Sequence, residues 1–101
     1  MPPHIRFQIG QPICNKLSRY RGVVIQADPL FSQTEAWYDI MVNTHSPKDE
    51  PWYWILLDDS LCMAYVPQKD LTPDLSSAPI NNPFVTEFFG TLACGLYTKL
   101  N

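Results

Sequence analysis

Charge is scarce in this chain: Asp, Glu, Lys and Arg together supply 17% of its 101 residues, and the formal balance is -3. Bulk electrostatics therefore give no hold on phosphate backbones, whose binding depends on Lys and Arg releasing counterions. Histidine occurs only twice and cysteine three times. Cys14, Cys62 and Cys94 stand in dissimilar contexts with no CxxC pair, which argues against a disulfide framework and against the donor spacing of a metal site. Free thiols in a reducing cytosol are the expectation. No apolar run approaches the roughly 18 residues needed to cross a bilayer, and Met1-Pro2-Pro3-His4-Ile5-Arg6 lacks the apolar core of a leader. A cytoplasmic protein with no membrane partner follows as the expectation.

What remains is apolar and rich in proline. Hydrophobic residues make up 46% of the chain, enough to offset ordering entropy. The length has room for one domain, residues 1–101. Ten prolines break any long helix and favour short strands joined by rigid turns, so the fold class is mostly β.

Strands are marked by their neighbours. Phe7 to Ile13 alternates apolar and polar and reads as a short first strand, with Gly10 and Pro12 limiting it. Tyr20 to Ala27 has a β-branched centre, Val23-Val24-Ile25, and stops at Asp28-Pro29. Residues 30–50 read as a long loop containing Trp37 and Tyr38. Trp52 to Leu57 and Leu61 to Val66 form a hairpin across Asp58-Asp59-Ser60. Gln68 to Leu71 suits one 3₁₀ turn. Beyond a surface connection at 73–79 the period changes: Val85, Phe88, Phe89, Leu92 and Leu96 fall on one helical stripe, with Asn82 as candidate N-cap and Pro83 at the first helical position. A short C-terminal helix within residues 82–97 is expected.

Chemistry-bearing candidates are few. Cys14 or Cys62 with His45, and Asp58 beside Asp59, are the available nucleophile and carboxylate sets; turn residues and small buried thiols explain them better, so no catalytic or metal residues are assigned. Trp52, Tyr53 and Trp54 are consecutive on one strand, so alternation sends Tyr53 to one face and the two tryptophans to the other. With Trp37 and Tyr38 they are the candidate partner-binding surface. Lys16, Arg19 and Arg21 are the candidate DNA contacts. Phe88, Phe89, Leu92 and Leu96 are the candidate interface of a homo-oligomer.

The string Phe7-x-Ile9-Gly10-Gln11, Tyr20-x-Gly22-Val23-Val24-Ile25-x-x-Asp28-Pro29, Thr34-Glu35-x-Trp37-Tyr38, Pro51-Trp52-Tyr53 and Tyr65-Val66 resembles the YccV-like family, also called heat-shock protein Q or hemimethylated-DNA-binding domain proteins. The likeness runs in order from about residue 7 to 89. It implies a small SH3-like barrel over about residues 5–72, a long loop between strands 2 and 3, no cofactor and no catalytic centre. It also implies two roles: a protein-binding adaptor in ATP-dependent proteolysis, whose partner is a protease, chaperone or degradation substrate, or a binder of hemimethylated DNA. The chain departs from the family pattern at Asn15, Trp54 and Asn82, where members usually carry histidine.

Overall fold

The computed structural model describes residues 4–33, 49–76, 78–93 and 95–99. Its main element is a five-stranded antiparallel sheet in the order β4-β3-β2-β1-β5. The strands are β1 (Pro12–Asn15), β2 (Arg21–Asp28), β3 (Trp52–Leu57), β4 (Met63–Pro67) and β5 (Leu71–Pro73), with a 3₁₀ turn at Gln68–Asp70 between the last two. One helical turn, α1 (Val85–Phe88), leads into a separate hairpin of β6 (Phe89–Ala93) and β7 (Leu96–Lys99). The β3–β4 hairpin, the β2 strand and the 3₁₀ turn lie where sequence patterning placed them. Most of the long loop, residues 34–48 with Trp37, Tyr38 and His45, lies outside the described residues.

Two apolar clusters form because the sheet buries both faces. Phe7, Ile13, Val24, Tyr53, Ile55, Val66 and Leu71 pack on one face. Val23 and Leu56 face the other way and are covered by Ile80, Val85, Phe89 and Tyr97 from the C-terminal segment. Strand β2 changes register against β3 between Val24 and Gln26. That bulge inserts Ile25 between paired residues and reverses the faces beyond it, so Gln26 and Asp28 lie opposite Trp54 and Trp52.

Two elements differ from the sequence reading. The first strand begins at Pro12, because Phe7 to Gln11 is consumed by a turn in which the Gln11 N–H donates to the Gln8 carbonyl and Gly10 takes φ 92°. The expected helix over 82–97 is only one turn long. The cap falls on Phe84 and not on the expected Asn82, which instead shapes the turn before it: its Oδ1 accepts the Phe84 N–H at 2.9 Å and its carbonyl the Val85 N–H at 3.1 Å. After Phe88 the chain turns extended, since Gly90 and Gly95 lower helix propensity and a short helix gains too few bonds to repay nucleation. Gly95, at φ 79°, supplies the positive angle in the hairpin connection. Thr98 Oγ1 accepts the Thr91 N–H and donates to the Thr91 carbonyl, both at 3.1 Å. The hairpin docks through Tyr97, whose hydroxyl accepts the Ile80 N–H at 2.8 Å and whose N–H donates to the Gly10 carbonyl at 2.8 Å. The helical stripe is thereby dispersed: Phe89 is buried, Leu92 and Leu96 are half-buried, and Phe88 stays exposed.

Candidate binding site on the second sheet face

Strand alternation separates the three consecutive aromatics as expected. Tyr53 enters the first core, where its ring meets Phe7 edge-on at 5.5 Å and its hydroxyl accepts the Arg6 and Phe7 N–H groups and donates to Gln68 Oε1. Tyr53 is fully buried, so its role is structural and it leaves the candidate partner surface. Trp52 and Trp54 turn to the second face and meet Tyr65 of β4. Tyr65 stacks on Trp52 at 5.2 Å and leans on Trp54 at 4.8 Å. Phe31, from the chain just after β2, packs edge-on against Trp52 at 5.1 Å. Trp52 is 1% exposed and Tyr65 7%, so the accessible ring of this wall on β3 and β4 is the half-buried Trp54.

Asp28 sits within the same wall. Its carboxylate accepts Gln26 Nε2 at 2.8 Å, Ser32 Oγ at 2.6 Å and the Tyr65 hydroxyl at 2.8 Å. Burial pushes this carboxyl up, but the hydrogen bonds from Ser32, Gln26 and Tyr65 outweigh burial and hold it below the ordinary carboxylate value. Tyr65 shifts upward, chiefly through burial, and so remains the donor of the pair. Sequence reading treated Asp28-Pro29 only as a strand end. Without the bulge, simple alternation puts Asp28 on the opposite face from Trp52, so the pattern concealed it. Ser32 four residues downstream was the one local hint, as a partner for an Asp side chain.

The basic candidates are not equivalent. Lys16 and Arg19 are exposed in the β1–β2 turn. Arg21 is committed within the fold: Nε donates to Asp74 at 2.8 Å, Nη1 to Asp58 at 2.9 Å and Nη2 to the Ala78 carbonyl. Contact of Arg21 with a phosphate would require breaking this clasp, because its charge is already balanced by two carboxylates. The Asp58 and Asp59 candidates are likewise occupied. The Asn81 N–H donates to Asp58, and Asn81 Nδ2 to Asp59 at 2.9 Å. The Cys14 thiol donates to backbone carbonyls, Cys62 is exposed, and neither faces a described base.

Asn15 and Asn82, two of the expected departures from the family pattern, are both buried, and each is hydrogen-bonded through both its amide oxygen and its amide nitrogen. Asn15 Oδ1 accepts the Leu17 and Ser18 N–H groups while Nδ2 donates to the Tyr20 hydroxyl. Asn82 Nδ2 donates to the Leu57 and Cys62 carbonyls. Each pins a turn, and neither approaches Trp54 through any hydrogen bond. An open groove of about 320 Å³ lies elsewhere, between Gln8, Gln11, Pro73 and Leu96. Its carboxylate, Asp74, is the one held by Arg21.

The carboxylates of Asp28 and Asp74 make acid sensitivity a direct expectation. For Asp74 too, burial raises the pKa but hydrogen bonds from Arg21 and Ser76 prevail and lower it. A depressed folded-state value means stability fully present above the unfolded value near 4 and lost as pH falls through the folded value. Melting temperature should therefore decline between about pH 5 and pH 2, and Asp28→Asn should decline less steeply over that range. An unchanged slope in the variant would remove Asp28 from this account.

Among the described residues, no helix is long and apolar enough to cross a membrane. The model of the family described as hemimethylated DNA-binding protein YccV-like matches residues 5–94, nine-tenths of the chain with all of β1 to β6, and by that match the chain belongs to the YccV-like family.

Proposed function

We propose that this chain is a non-enzymatic, cytoplasmic adaptor that binds a protein partner in regulated, ATP-dependent proteolysis. The bent five-stranded sheet is read as the SH3-like barrel of the family, and it serves as a scaffold with no catalytic role. The observation that carries the proposal is the wall of Trp52, Trp54, Tyr65 and Phe31 built around the Asp28 carboxylate. Aromatic side chains offer large contact area at small entropic cost and recur as interface anchors, whereas a nearby carboxylate repels nucleic-acid phosphate. The half-buried ring of Trp54 stands where relatives usually carry histidine, so partner choice is expected to differ from theirs. Adding the chain to an ATP-dependent protease and a slowly degraded substrate should change the degradation rate. Trp54→Ala should abolish that change while leaving the fold intact, and equal behaviour of the two proteins would reject the aromatic wall as the contact.

Hemimethylated DNA is the second reading, favoured by the description of the matching family. Its contacts would be Lys16 and Arg19, the two exposed cations of the β1–β2 turn. Affinity for a hemimethylated duplex should then exceed that for fully methylated and unmethylated ones, fall steeply with salt, and weaken on Lys16→Glu. Binding that ignores methylation state would dispose of this reading. Self-association has less support, because Phe89 is inside the core and only Phe88 of its four candidate residues is exposed.

A further inference from the structure

We propose that the Asp28 carboxylate and the open ring of Trp54 together receive a cationic side chain, lysine or arginine, from the protein partner. The inference rests on the adaptor reading above and names what that surface recognises. Two secluded carboxylates in this fold are treated differently. Asp74 is balanced by the Arg21 guanidinium at 2.8 Å. Asp28, only 9% exposed, has no cation among the described residues: its hydrogen-bond partners are the neutral Gln26, Ser32 and Tyr65.

Removing an ionised carboxylate from water is costly, and neutral donors offset that cost without cancelling the charge. The uncancelled charge lies beside aromatic rings, whose faces carry negative potential and attract ammonium and guanidinium groups. Both contributions therefore favour the same ligand charge. Access is through Gln26 and Ser32, which are exposed, and along Trp54, whose one ring contact among the described residues is with Tyr65. Asp28 Oδ1 accepts one hydrogen bond, from Gln26, while Oδ2 accepts two, so Oδ1 retains acceptor capacity for an incoming N–H. A phosphate at this position would meet repulsion from every group that attracts the cation.

Nuclear magnetic resonance of the full isotopically labelled chain tests the assignment with capped tripeptides Gly-Arg-Gly and Gly-Lys-Gly. Gly-citrulline-Gly, a neutral near-isostere of the arginine peptide, and Gly-Phe-Gly serve as controls. The cationic peptides should shift the Trp54 indole N–H signal, with the citrulline peptide roughly tenfold weaker or worse. Asp28→Asn should erase that preference, and Trp54→Leu should weaken the cationic peptides; the comparison of arginine with citrulline needs no variant to fold. Equal binding of arginine and citrulline peptides at Trp54, or no response of Trp54 to either cation, overturns the inference. Response to Gly-Phe-Gly alone leaves the adaptor reading standing and sinks the cation site. Silence of Trp54 toward all four peptides, with no effect on degradation, sinks both.

Discussion

Alanine at position 10 is expected to destabilise the protein by about 3 kcal/mol, from backbone strain and a steric clash that act together. Gly10 has φ 92°, and a Cβ built there would lie 2.3 Å from the Tyr97 carbonyl oxygen and 3.2 Å from its carbon. Backbone cannot rotate aside as a side chain does. The Gly10 N–H donates to the Val24 carbonyl while its own carbonyl accepts the Tyr97 N–H, both at 2.8 Å, so relief would have to come by shifting β7 off the sheet. Gly95→Ala is the matched control. Gly95 also has a positive φ, 79°, but nothing lies within 4 Å of its would-be Cβ, so only the conformational cost of about 1 kcal/mol applies there. Urea unfolding of the two variants separates strain from contact. Equal midpoints would mean that β7 does not press on Gly10.

Arg21→Met should cost about 2–3 kcal/mol, less than a fully buried ion pair because the side chain retains 21% exposure. Methionine keeps much of the aliphatic bulk but leaves Asp58 and Asp74 without their cation and the Ala78 carbonyl without its donor. The loss has consequences beyond the pair. Asp58 also accepts the Asn81 N–H, and Ile80, two residues after Ala78, is packed in the second core. Arg21 is therefore one of several ties, beside those of Ile80, Asn81 and Asn82, on the connection that leads to α1 and the β6–β7 hairpin. Arg21→Lys should recover only part of the loss, since an ammonium cannot span two carboxylates and a carbonyl as a planar guanidinium does. A double-mutant cycle of Arg21→Met with Asp74→Asn should give a coupling of about 1 kcal/mol or more. Additive effects would show that the clasp is ornamental and would return Arg21 to the pool of cations free for DNA.

The legible parts of this fold were those written in short-range chemistry. Val23-Val24-Ile25 ahead of Asp28-Pro29, the Trp52 to Leu57 run and the Asp58-Asp59-Ser60 connector report β-branching, alternation and turn preference, each decided within a few residues. Asn82 was legible as a local organiser of backbone donors, but the helix is capped two residues later, at Phe84, so its exact start was not. The C-terminal segment misled for a specific reason. Val85, Phe88, Phe89, Leu92 and Leu96 match a helical period, but their apolar surface is better buried by a hairpin held through Tyr97, a contact about 87 positions from Gly10 that periodicity cannot register.

The candidate site divides along the same line. Composition and strand alternation sufficed to establish a mostly β chain with Trp52 and Trp54 on one face and Tyr53 on the other, because side-chain direction in a strand is a local property of the backbone. The rest was decided by tertiary structure alone. A single inserted residue at Ile25 moves Asp28 to the face of Trp52 and Trp54, and pairing with β4 brings Tyr65 onto it. Folding also neutralises Arg21 with Asp58 and Asp74, 37 and 53 positions away. Register and long-range ion pairing depend on which strands meet and where, so the charge a partner would encounter exists only in the folded chain.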